Sequence, residues 1–202
     1  MFGLFKQKKR GRVSLEEQLR VLEKGGITLA PRVRPESLML SCTREQFEED
    51  PYRALLSVLG QEAEDESQAS ETGYPSNHIW HFDTECIEDH GDYKKIASRM
   101  VTLAQGALRL EQIEDFVDVE KGVAWLSFTM NGTVEKWIAK VDSDWVDPTI
   151  LSRLAQLLDS AQADRRFTYV DLRGQDCLIG CSTPTQREWL ERSTGLKLVW
   201  LR

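Results

Sequence analysis

An α+β domain is what this sequence predicts: an N-terminal helical portion followed by a mostly antiparallel sheet with helices packed on one face. Three observations carry that expectation. Between residues 13 and 60, apolar side chains recur at helical spacing behind capping signals. Asn131-Gly132 separates two β-like runs and supplies the two positive-φ positions of a type I′ hairpin turn. After residue 78 the pattern reads β-α-β-β-β-α-β-β-α-β, and its hairpins make much of the sheet antiparallel.

The elements follow in order. Ser14-Leu15-Glu16-Glu17 is a capping-box pattern, Leu15, Leu19 and Leu22 continue it at helical spacing, and Gly25-Gly26 stops it. Ile27 and Leu29 suggest a short extended piece ending at Pro31. Thr43-Arg44-Glu45-Gln46 opens a second helical region carrying Phe47. Tyr52, Leu55, Leu56 and Leu59 then mark one helix face, with Gly60 as terminator. Residues 61–77 lose all apolar period and read as an exposed acidic loop with Glu62, Glu64, Asp65, Glu66 and Glu71.

Beyond the loop, Ile79 to Phe82 reads as a strand and Asp92 to Ala104 as a helix. A strand over Ile113 to Val119 leads into the hairpin of Val123–Met130 and Thr133–Val141, with Ala124, Leu126, Phe128 and Met130 on one face. Asp147-Pro148 is a helix start, an acceptor at N-cap before a residue whose missing amide costs nothing. Phe167 to Leu172 and Asp176 to Cys181 form a second hairpin. Thr183-Pro184-Thr185-Gln186 caps a last helix ending at Gly195, and Leu196 to Leu201 closes the chain as a strand.

Composition narrows the function classes. With 202 residues, 41% hydrophobic and 29% charged, the chain fits one domain with a real core rather than a disordered chain. A membrane-crossing helix needs roughly 20 apolar residues in a row, and no such run exists. The tail, residues 1–12, places Phe2, Leu4 and Phe5 before Lys6, Lys8, Lys9, Arg10 and Arg12, the reverse of a secretory signal. That tail suits weak peripheral contact with an anionic membrane, but a solvated, frayed terminus is the favoured reading. Net charge is −7, and because the tail carries five positive charges and no acid, residues 13–202 carry −12. So acidic a body argues against nucleic-acid binding and suits a basic protein partner. Cys42, Cys86, Cys177 and Cys181 follow no disulfide framework. With no signal peptide, they read as reduced thiols packed in a cytoplasmic protein.

Catalytic motifs are missing. There is no Gly-x-Ser-x-Gly elbow and no glycine-rich phosphate cradle, so no cofactor is expected. Residues 78–92 concentrate ligand types: His78, His81, Asp83, Glu85 and His90, with Cys86, Glu88, Asp89 and Asp92 among them. A metal-dependent hydrolase or transferase built on them is the alternative function, but their spacing matches no ligand motif. The plainer reading is a strand edge, a polar turn and acids that cap the helix after Gly91. Of the six tryptophans, Trp125 is expected in the core and Trp145 at the surface.

The acidic loop 61–77, Trp80-His81-Phe82-Asp83-Thr84-Glu85 and Asp144-Trp145-Val146-Asp147-Pro148 sit in a small, acidic, tryptophan-rich chain. Together they resemble the cytoplasmic immunity proteins of bacterial polymorphic toxin systems. The resemblance implies a protein that binds and occludes a cognate toxin, and it carries over no individual residue. The expected partner surface comprises Glu62, Glu64, Asp65, Glu66 and Glu71, with Tyr74 and Trp145 as aromatic anchors.

Overall fold

The computed structural model describes residues 11–63 and 71–202. Helix α1 (Leu15–Lys24) starts where the Ser14 hydroxyl accepts the Glu17 N–H at 3.3 Å. A 3-10 turn over Pro35–Leu40, which the apolar pattern does not reveal, precedes α2 (Arg44–Glu49) and its full Thr43/Gln46 capping box. Helix α3 (Arg53–Gly60) follows Tyr52, whose backbone is left-handed at φ 69°. The side chain that holds Tyr52 there is Gln18, wholly buried, which accepts the Tyr52 N–H at 2.7 Å. Gln18 also donates to the Val13 and Phe47 carbonyls, each at 2.8 Å, so one satisfied amide ties the ends of three helices together.

The remaining elements appear in the expected order: β1 (Ile79–Asp83), α4 (Asp92–Leu103), β2 (Glu111–Asp118), β3 (Val123–Met130), β4 (Thr133–Ala139), α5 (Pro148–Ser160), β5 (Arg166–Asp171), β6 (Asp176–Ser182), α6 (Pro184–Thr194) and β7 (Val199–Trp200). The last strand is shorter than its apolar run, and residues 27–29 form no strand. The class is α+β, with helices lying on antiparallel sheet.

The strands divide into two sheets. One is four-stranded in the order β1-β6-β5-β7, and the other is the meander β2-β3-β4. The four-stranded sheet is covered on both faces. Ile79, Val170 and Leu178 share a core with α1, α2, α3 and α6. Their neighbours Trp80, Phe82, Phe167 and Ile179 point into a second core with α4, α5 and the inner face of β3. Ala124, Leu126 and Phe128 supply that inner face, as their alternation requires. Trp125 is therefore not a core residue. It lies half-buried on the outer face, stacked on Phe116 with ring centroids 6.1 Å apart.

Gly60 does not end its helix through a left-handed backbone. It is the last residue of α3 and lies against β1, where a methyl group would come within 2.8 Å of the Trp80 carbonyl carbon and closer still to the His81 nitrogen. From α4, Arg99 is only 4% exposed and donates to the Ser76 and Ile79 carbonyls at 2.8 and 2.7 Å. Its guanidinium sits 3.6 Å from the Tyr74 ring centroid, fixing the chain that enters β1.

Asn131 and Gly132 have φ of 51° and 78° between the paired residues Met130 and Thr133. Gly132→Val is expected to lower stability by about 1 kcal/mol or more, since a β-branched residue is strained in that region. An unchanged melting temperature would contradict this reading of the turn.

Candidate functional site

The tight turn between β4 and α5 is built by its caps. Asp147, 6% exposed, accepts the Lys140 N–H at 2.7 Å and the Thr149 N–H at 2.9 Å, and its own N–H donates to the Tyr93 hydroxyl at 3.1 Å. Burial pushes the Asp147 carboxyl up, but the Lys140 and Thr149 amides together outweigh it and hold the carboxyl below its ordinary value. Ser143 is left-handed at φ 53°, and the Trp145 N–H returns to the Asp142 carbonyl. Val146 is thereby turned into the core while Trp145, 42% exposed, is turned out.

Directly beside this turn runs the segment that follows β1. The Val146 N–H donates to the Thr84 carbonyl and the Ile87 N–H to the Asp144 carbonyl, and Glu85 bridges to Trp145 as in an antiparallel pair. Two stretches that stand sixty residues apart in the sequence thus form one surface around an exposed indole. Glu85, Glu88 and Asp89 come from one side, and Asp142 and Asp144 from the other. Apart from Glu85, which is half-buried, these acids are exposed.

The other expected anchor lies elsewhere. Tyr74 is 6% exposed and packed under Arg99, so it belongs to the core and presents no side chain to a partner. Glu62 and Glu71 are exposed, and Glu62 pairs with Lys95 at 2.7 Å. Glu64, Asp65 and Glu66 lie outside the described residues. Beside Glu62 a cleft of about 230 Å³ runs along β1 past His81, Asp83, Cys86 and Asp92.

The histidine-rich segment is dispersed by the fold. His78 faces Thr28, with Nδ1 and Oγ1 3.3 Å apart, and burial lowers its pKa. His81 lies 3.7 Å from Asp176, while His90 contacts Asp89 at 3.0 Å and rests on the Phe116 ring. Asp83 accepts the Glu85 N–H at 2.8 Å and the Gln175 side-chain amide at 3.2 Å. Among the described residues no group of three His, Cys, Asp or Glu side chains is placed to hold a metal ion. Nor do the segment's own acids cap α4. That cap is Asp115 on β2, which accepts the Gly91 N–H at 2.8 Å and the Lys94 N–H at 3.2 Å. Asp92 accepts the Glu88 and Asp89 N–H groups at 2.7 and 2.8 Å and closes the preceding turn.

Cys177 is 2% exposed opposite Phe82, and burial pushes its thiol up to about 12. A folded pKa above the unfolded value favours the fold below pH 9 and loses that advantage as pH rises toward 12. Stability is therefore expected to decline between those values by up to about 1.4 kcal/mol per pH unit for this thiol. The alkaline limb of unfolding for Cys177→Ala should be shallower than that of the parent, and identical limbs would contradict the thiol's part.

Among the described residues no helix is long and apolar enough to cross a membrane. Comparison of the chain with protein-family models, curated proteins and solved structures finds no match.

Proposed function

We propose that this chain is an intracellular protein-binding module that presents Trp145, ringed by acids, to a basic protein partner. The exposed indole on a hydrogen-bonded turn is the observation that carries the reading. Trp is enriched among the residues that dominate binding energy. Glu85, Glu88, Asp89, Asp142 and Asp144 supply the field that draws a cationic surface toward it, the Asp142 charge being offset in part by Lys140 at 2.8 Å. In its specific form the proposal is an immunity protein, in which this contact occludes a cognate toxin.

Charge and anchor make separable contributions, and kinetics distinguishes them. With the partner recovered by affinity capture on the full chain, association is measured for two neutralised variants. One removes Glu85, Asp142 and Asp144, and the other removes Glu62, Glu64, Asp65, Glu66 and Glu71. Steering predicts association slowed severalfold at low salt, dissociation nearly unchanged, and an effect that fades as the screening length shrinks to about 3 Å at 1 M. Association indifferent to both neutralisation and salt would overturn the electrostatic part.

A further inference from the structure

The outer face of the meander carries apolar side chains where a solvated sheet face ordinarily turns polar. Ile138 and Val134 are each 70% exposed and Val123 46%. Among the described residues, α4 and α5 pack on the inner face of this sheet. The strand register arranges the outer side chains in rows. Glu114 on β2 pairs with Ser127 on β3, which pairs with Lys136 on β4. The next row is Phe116, Trp125 and Ile138. In the third, Asp118 pairs in register with Val123 and Lys140 follows Ile138 on the same side of the chain, but Asp118 is ion-paired with Lys121 and Lys140 with Asp142. The face thus offers Glu114 on the β2 flank, an apolar central row and Lys136 on the β4 flank.

We propose that this face binds a second copy of the chain, in a two-fold dimer whose meanders stack face to face. A two-fold axis parallel to the strands and midway between the sheets lays β2 of one protomer over β4 of the other. Phe116 then meets the partner subunit's Ile138, the two Trp125 rings meet each other, and Glu114 lies opposite the partner subunit's Lys136. Stacked sheets are about 10 Å apart and cross at about 30°, so the central rows keep this register best. A partner of one charge sign would leave one flank facing like charge, whereas a copy of the same chain satisfies both. Pairing β4 with itself edge to edge about its midpoint would instead set Lys136 on Lys136. In the single chain Lys136 Nζ lies 3.7 Å from the Trp125 ring centroid, covering the indole until Glu114 of the other copy draws it away.

Sedimentation velocity on the full chain should show a dimer forming through the micromolar range. E114K and K136E each put like charges together twice across the two-fold axis and are expected to raise the dissociation constant about 100-fold. The double variant E114K/K136E restores opposite charges and should recover the dimer. An equimolar mixture of the two single variants should form heterodimers for the same reason. Within one protomer the two positions are two strands apart, about 10 Å, so all variants should keep the parent's melting temperature. A chain that stays monomeric at high micromolar concentration overturns the proposal. So does a dimer indifferent to the single swaps, or one weakened by them without recovery in the double variant or the mixture.

Discussion

Gly60→Ala is expected to lower stability by about 3 kcal/mol, the upper end for one added carbon in a packed interior, although it adds only one methyl group. The position tolerates no Cβ because α3 closes directly onto β1. The added carbon would lie within 2.8 Å of the Trp80 carbonyl carbon, and backbone cannot rotate away as a long side chain can. Relief requires α3 to lift from the sheet, which would loosen Leu55, Leu56 and Leu59, all buried in the first core. Helix propensity alone would make the same change favourable by roughly 1 kcal/mol. The sign of the shift in melting temperature therefore separates the two views: a stabilised Gly60→Ala would mean that Gly60 is merely a helix end.

Trp145→Ala is expected to weaken partner binding about 30-fold or more, the effect of a residue worth at least about 2 kcal/mol at an interface centre. Its melting temperature should stay close to the parent's, because the ring is 42% exposed while Val146 supplies the turn's burial. Trp80→Ala is the matched control. That indole is 6% exposed and 4.3 Å from the Phe82 ring, so its loss should cost about 3–5 kcal/mol of stability. Tyr74→Ala should behave like the control, since it removes a core ring from beneath Arg99. Unchanged binding by Trp145→Ala would remove the anchor from the proposed surface.

What the sequence disclosed was local. Capping chemistry at Thr43 and Gln46, Thr183 and Gln186, and Asp147 before Pro148 placed helix starts because side chain and amide lie within four residues. Asn131-Gly132 placed the hairpin by backbone preference alone. What it withheld depended on distant partners. Alternation put Ala124, Leu126 and Phe128 on one face and Trp125 on the other, but did not show which of the two faces the helices would cover. Gly60 is explained by a strand twenty residues later, and Tyr74, in a polar stretch, by Arg99 on α4. Gln18 lies on the face of Leu15 and Leu22, so its burial was legible, but its three backbone partners, which come from separate segments, were not. The candidate surface was half legible. Trp145 and the acidic segment after β1 stood out singly, but only the hydrogen bonds of Thr84 and Ile87 bring them together.

Site-directed photo-crosslinking in cells tests the proposed partner surface most directly. A photoreactive aromatic amino acid, which keeps a ring at the anchor position, replaces Trp145 in one full-length variant and Leu40, which is 67% exposed, in a second. The expected result is a discrete crosslinked complex with one basic protein from position 145, absent from position 40 and reduced when Glu85, Asp142 and Asp144 are neutralised. The same products from both positions, or none from position 145, would contradict recognition through this surface.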